Sequence, residues 1–305
     1  MEKKSLDTVV KEKKLKLGIF SYSYHLAFGK HPDFTAANPD DRMDLFKFMD
    51  RSKELGVDGI QIDITHLEST DAAYLKKLSK YAEDKGFYVE YGSILIEDGH
   101  TLKELEIARK LKAPIMRTFM GFSRYDKNCN PKHELENAIA VLKNLLPKLH
   151  EYDIKLAIEN HCDCTTDELL SVINAVNDPY VGVCPDLGNF MINLENPTKS
   201  VKKLAPYIIT THFKDCNMEM CNWGFKSYGV ALGDGMIDLK AILKILVKDS
   251  KLDRIMLEIP VEKASFPNGL VDDKTTLAKE DDFMRRSVVY ARDVLKIKYP
   301  VKRLT

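Results

Sequence analysis

Apolar positions along the chain follow two alternating rhythms. Short, nearly continuous apolar runs stand at "LKLGIFS" (15–21), "VDGIQIDI" (57–64), "FYVEYGSI" (87–94) and "PIMRTFM" (114–120). They continue at "IKLAIEN" (154–160), "YVGVCPD" (180–186), "YIITTHF" (207–213) and "RIMLEIP" (254–260). Between them lie segments such as "DRMDLFKFMDRSKEL" and "LENAIAVLKNLLPKLHEY", whose apolar residues recur at helical spacing. The short runs predict buried strands and the longer segments amphipathic helices. Eight strand–helix alternations without a composition break predict one (β/α)8 barrel over residues 15–305. Residues 1–14 read as a charged, fraying lead-in. A doubly wound sheet is the competing arrangement, but eight regular units of roughly 30–40 residues fit barrel closure better.

The joins add a direction. Helix-to-strand connections are tight: "LGV" (55–57), "KGF" (85–87), "EYD" (151–153) and "APY" (205–207). Strand-to-helix connections are long, above all 22–40, 214–236 and 261–280. Long loops in a compact domain are usually functional, and in this topology they share the face that carries chemistry.

Composition removes several function classes. The 305 residues hold 46 basic and 46 acidic side chains, so net charge provides no general pull toward nucleic acid or anionic membranes. No apolar run reaches the ~18 residues of a membrane span. The charged start "MEKKSLDTVVKEKKLK" lacks the apolar centre of a secretory signal, and six cysteines without one predict reduced thiols in a cytoplasm.

The chemistry lies at strand ends. Strands five to eight finish in Glu159 ("AIEN"), Asp186 ("CPDLGN"), His212 ("TTHFKD") and Glu258 ("LEIP"). Three carboxylates packed together repel one another unless a cation sits between them. Oxygen-plus-imidazole ligation suits one divalent ion: Mn, Mg, Co or Zn. The structural alternative makes some of them strand-end caps or ion pairs.

The series Glu, Asp, His, Glu on strands five to eight resembles the xylose isomerase-like barrel superfamily of sugar isomerases, ketose 3-epimerases and inosose dehydratases. The resemblance spans about residues 15–298 and rests on the order and placement of short motifs. It implies metal ligands at Glu159, Asp186, His212 and Glu258. It also implies a paired acid/base role for Glu159 and Glu258, acting beside a carbonyl through a metal-stabilised enediolate. The expected enzyme is a sugar or sugar phosphate isomerase/epimerase, with a keto-polyol lyase of the inosose-dehydratase type as alternative. "HFKD" (212–215) resembles the dehydratases. Where epimerases tend to carry His, this chain has Asn189, and the Arg they place further into the seventh loop has no match.

Endonuclease IV-like repair enzymes share the superfamily but use three zinc ions and further histidines. His66 could match one of those ligands. However, Asn189 replaces a second, strand three ends "EYGSI", and no Asp-x-His pair follows "HFKD". A nucleic-acid partner is therefore not expected.

Further candidates for contact with a small sugar or keto-polyol substrate are His161, Lys214, Asn189, Arg117 and His66. His161 shares a strand face with Glu159. Arg117 is unusual inside a buried strand; pairing with Asp63 or Glu90 is its structural alternative. Lys214 binds a substrate oxygen, helps a hydroxyl leave, or pairs with Asp215. His25 lies in the first long loop. "GDGMID" (233–238) reads as a helix-entry turn or a phosphate contact. Trp223 and Phe225 suit an apolar lid or a subunit contact, leaving homo-oligomerisation open. Cys162-x-Cys164 lacks zinc-knuckle spacing, and no second Cys/His pair follows it.

Overall fold

The computed structural model describes residues 13–30, 42–263 and 273–297. Nearly all of the expected lead-in, and residues 31–41 and 264–272 of the first and last long loops, lie outside the described residues. So does the end of the barrel region as read from sequence, 298–305.

The predicted strands become parallel staves. They are β1 (Lys16–Phe20), β2 (Gly59–Asp63), β3 (Tyr88–Gly92), β4 (Ile115–Phe119), β5 (Lys155–Glu159) and β6 (Val181–Cys184). An antiparallel hairpin follows, β7 (Asp215–Cys221) and β8 (Gly224–Val230), and then β9 (Arg254–Leu257). Seven strands pair in the order β6-β5-β4-β3-β2-β1-β9. The eighth stave, residues 208–213, closes the circle through single bridges: Val183 to Ile208, Asp186 to His212, and Phe213 to Leu257. The chain is a single-domain (β/α)8 barrel.

Strand alternation sorts side chains between two compartments. In β5, Leu156 and Ile158 join the main core between sheet and helices. Ala157 packs instead with Ile115 and Cys184 in a small apolar layer within the barrel. Glu159, on the same side as Ala157, is thereby carried to the barrel mouth.

The helical segments form α1 (Leu45–Glu54), α2 (Ala72–Lys85), α3 (His100–Lys110), α4 (Pro131–Tyr152), α5 (Thr166–Val176), α6 (Pro197–Leu204), α7 (Leu239–Asp249) and α8 (Asp273–Asp293). Several of their starts carry side-chain caps that satisfy open backbone N–H groups. Asp44 accepts from Lys47 N, Asn196 from Lys199 N and Asp238 from Ala241 N. Thr165 and Glu168 form a reciprocal capping box at α5.

The loop expected at 214–236 is folded. Its first part is the β7–β8 hairpin, and its "GDGMID" turn wraps around Asp215. That carboxylate accepts from the backbone N–H of Gly233, Gly235, Ile237 and Cys216 at 3.0–3.2 Å. These amides are therefore already committed, which argues against the phosphate contact and for the helix-entry turn.

The irregular eighth stave approaches β6 closely at Gly182. A Cβ there would overlap the Tyr207 carbonyl oxygen and come within 2.8 Å of Ile209 Cδ1. Gly182→Val should destabilise the fold by about 1–3 kcal/mol, because backbone cannot yield as a side chain can. The urea midpoint measures this, and an unchanged midpoint would contradict the closure described.

Candidate metal centre and substrate pocket

Register and pleat bring four strand ends to one point. Ligand atoms of Glu159, Asp186, His212 and Glu258 all lie within 4.8 Å of one another, and all four residues are buried. His212 Nδ1 is 2.9 Å from Glu159 Oε2, 3.0 Å from Glu258 Oε2 and 3.8 Å from Asp186 Oδ2. His212 Nδ1, Asp186 Oδ2 and Glu258 Oε2 have one another, Glu159 and the Lys214 ammonium as their near polar neighbours. Buried polar atoms are normally satisfied. Three buried carboxylates converging on one imidazole, with lone pairs available from each, fit a divalent cation. Cys184 also falls within reach of Glu159 and His212. Burial pushes its thiol well up, making it a poorer ligand than the carboxylates.

His212 is aimed from below. Glu90 Oε2 accepts from Gln61 Nε2 at 2.9 Å and from Thr210 Oγ1 at 2.8 Å. This orients the Gln61 amide so that its Oε1 accepts from His212 Nε2 at 2.8 Å. The Nδ1 lone pair of the neutral ring then faces the carboxylates, because metal-binding histidines are commonly oriented by a hydrogen bond to their other ring nitrogen. Phe20 stacks on the imidazole at 4.7 Å. Gln61 and Glu90 escaped the sequence reading as site residues. Their signal was a polar side chain in the middle of an otherwise buried strand.

Two cations edge the cluster. Arg117 pairs with Glu159, donates to the Ser93 carbonyl at 3.1 Å, and lies between the Phe20 and Phe119 rings. This corrects the alternative pairing of Arg117 with Asp63 or Glu90: Asp63 accepts from Thr65, and Glu90 serves Gln61. Lys214 Nζ sits 2.7 Å from Asp186 Oδ2 and 2.8 Å from Glu258 Oε2, so its ion pairs are with the cluster rather than Asp215.

These contacts shift the titrations. Burial would raise Glu159, but Arg117 and His212 hold it well below the ordinary range. Glu258 is likewise depressed, with Lys214 and His212 outweighing burial. Burial pushes Asp186 up to about 8 despite Lys214, aided by Glu258 and Glu159. Burial pulls His212 down, yet Glu159 and Glu258 raise it to about 9.

Above the cluster opens a cavity of about 510 Å³, reached by Tyr22, His25, Asn189, Lys214 and Tyr228. Asn189 Nδ2 donates to Glu159 Oε1 at 3.0 Å, so Asn189 and Lys214 connect cavity and cluster. Other candidates lie further off. His161 is exposed and stacks on Phe119 at 4.1 Å. His66 is buried, stacked on Phe28 at 3.7 Å and held by Ser21, and burial pushes it down to about 3. It packs in the wall rather than lining the cavity. Trp223, 97% exposed, and Phe225 project near the hairpin turn. The six cysteines are free. A larger cavity of about 910 Å³ opens at the opposite end, where Lys155 and Arg254 begin their strands, and includes no cluster residue.

Comparison with known proteins now bears on this geometry. The sequence pattern of the xylose isomerase-like TIM barrel family matches residues 49–287. The chain belongs to that family. It is 29% identical over 201 residues to 3-oxo-isoapionate decarboxylase of Pectobacterium atrosepticum, covering 65% of this chain and 71% of that protein. Among solved structures, D-psicose 3-epimerase from Clostridium cellulolyticum H10, crystallised with D-tagatose, superposes with a TM-score of 0.70 at 15% identity. That match covers 92% of this chain and 99% of the epimerase. The IOLI protein with a bound zinc atom gives 0.65 at 17% identity, covering 90% of this chain and 97% of the other. The structural likenesses establish the fold. No helix among the described residues is long and apolar enough to cross a membrane.

Two measurements test the centre. Gln61→Leu removes the acceptor that orients His212 and should weaken Mn2+ binding about 10–100-fold in calorimetry. Below about 9, His212 carries a proton that an entering cation must displace. Asp186, pushed up to about 8, adds a second proton below that value. Mn2+ affinity should therefore fall with decreasing pH, by about tenfold per unit between about 9 and 8 and more steeply below, and level off above about 9. A flat profile would remove His212 from the ligand set.

Proposed function

We propose that the chain is a divalent-metal-dependent enzyme acting next to the carbonyl of a small polyhydroxylated substrate, as a sugar isomerase or epimerase. The observation that carries this reading is the convergence of three buried carboxylates and an imidazole, joined through Asn189 and Lys214 to a cavity of about 510 Å³. A divalent ion held there supplies positive charge beside the substrate's carbonyl and hydroxyl oxygens, which makes the neighbouring C–H more acidic. Glu258 then removes the proton: Lys214 and His212 approach its Oε2, and no arginine or amide among the described residues engages it. Glu159 is the partner for return of the proton, but Arg117 and Asn189 engage its two oxygens. Asn189 and Lys214 are placed to orient substrate oxygens. His161 borders the same face, Arg117 acts through Glu159, and His66 supports the wall.

That commitment of Glu159 favours a second reading. Chemistry with a single working carboxylate suits a lyase: either CO2 departs and leaves its bonding electron pair on the substrate beside the carbonyl, or Glu258 takes the α proton and a β-hydroxyl departs with its own electron pair, leaving as water once protonated. Lys214 is placed to pair with such an anionic group, and the decarboxylase relative supports the same branch.

The readings separate in D2O with Mn2+ and a panel of ketoses, aldoses, inososes and 3-keto acids. Deuterium uptake at carbon without net loss indicates isomerisation or epimerisation. Release of CO2 or water indicates the lyase. Glu258→Gln should lower the active reaction by about 10²–10⁴-fold while Mn2+ remains bound. Full activity in that variant would sink the proposed base.

A further inference from the structure

We propose that Lys214 plugs the metal site, and that metal entry releases its ammonium into the substrate cavity, where it binds substrate oxygen. This rests on the reading that the four-residue cluster holds a divalent ion. The ammonium sits 2.7 Å from Asp186 Oδ2 and 2.8 Å from Glu258 Oε2, two of the ligand atoms that converge in the cluster. Those are the lone pairs a metal would take. Lysine and metal therefore compete for one set of acceptors.

Formal charge points the same way. In the ionised state that metal binding requires, Glu159, Asp186 and Glu258 bring three negative charges, while Arg117 and Lys214 bring two positive ones. A divalent ion added to that set leaves one positive charge in surplus, and like charges at such separations repel strongly. Arg117 is fixed by Glu159, the Ser93 carbonyl and two aromatic rings. Lys214 has only its two ion pairs among the described residues, on a flexible four-carbon stem.

The fold also provides the path. The stem crosses Gly188, where a Cβ would stand 2.8 Å from Lys214 Cδ and 2.7 Å from Cys216 Sγ. With no Cβ there, the stem has room to pass. Lys214 and Gly188 both line the 510 Å³ cavity, together with Tyr22, His25 and Asn189. A change of lysine rotamer carries Nζ from cluster to cavity without backbone movement.

The test uses Mn2+ alone, with two readouts. Calorimetry should show Lys214→Met, which keeps the stem, binding Mn2+ at least about tenfold more tightly than the unaltered chain. Acetic anhydride labelling followed by mass spectrometry should find Lys214 of the unaltered chain protected without Mn2+. With Mn2+, its labelling should rise severalfold while that of the exposed Lys226 stays constant. Equal or weaker Mn2+ binding by Lys214→Met, or unchanged protection in chain that has bound Mn2+, overturns the release and leaves the metal site standing. Failure of both proteins to bind Mn2+ overturns the metal site and the release together.

Discussion

Electrostatic repulsion among three buried carboxylates is the constraint on which the barrel mouth depends. Glu159, Asp186 and Glu258 sit too close, and too far from water, to remain ionised without positive charge. Every polar feature nearby answers that demand. Arg117 enters from β4, Lys214 from the end of the eighth stave, and His212 stands between. With the imidazole protonated and Asp186 ionised, three cations balance three anions. A divalent ion equals the imidazole proton plus the lysine ammonium in charge, so the same acceptors serve either population.

This constraint reaches well below the mouth. An imidazole between carboxylates is useful as a ligand only if the correct nitrogen faces them. Gln61 and Glu90 provide that orientation from the barrel interior, with Thr210 donating a second hydrogen bond to Glu90. Buried polar networks of this sort stabilise only when their members are satisfied. The network explains why the lumen carries Gln, Glu and Thr where a purely structural barrel would pack aliphatic side chains. It also fixes the division of labour between the ends. The larger cavity, at the strand starts, has charged residues but none of the convergent acceptors of the metal cluster.

The eight-unit rhythm was legible because each buried strand is a continuous apolar run, and each helix shows its own period. The eighth stave illustrates the limit. "YIITTHF" reads as an ordinary strand, yet Gly182 and the close Tyr207 carbonyl reduce its pairing to bridges. The four ligand candidates were legible because a charged residue ending an apolar strand is conspicuous. Partners were not, since pairing depends on three-dimensional register. Nothing in "PIMRTFM" distinguishes Glu159 from Asp63 or Glu90 as the mate of Arg117. The hairpin was hidden for another reason. "DCNMEMCNWGFKSYGV" is polar and exposed over much of its length, so its strands bury too little to leave an apolar run.

The four residues of "HFKD" show how a strand pleat distributes roles. His212 and Lys214, two apart, both face the barrel axis and meet the same carboxylates. Phe213, on the other side, is fully buried in the main core, and its stave bridges to Leu257 beside Glu258. Asp215 turns away from the cluster and anchors the 233–237 turn with four backbone donors. A carboxylate one position earlier would add a fourth negative charge to the cluster. One position later, it would lose the amides that hold the turn. The order of those residues is thus dictated by charge on one face and by backbone satisfaction on the other, and a lysine beside the clustered carboxylates fits only the first of these.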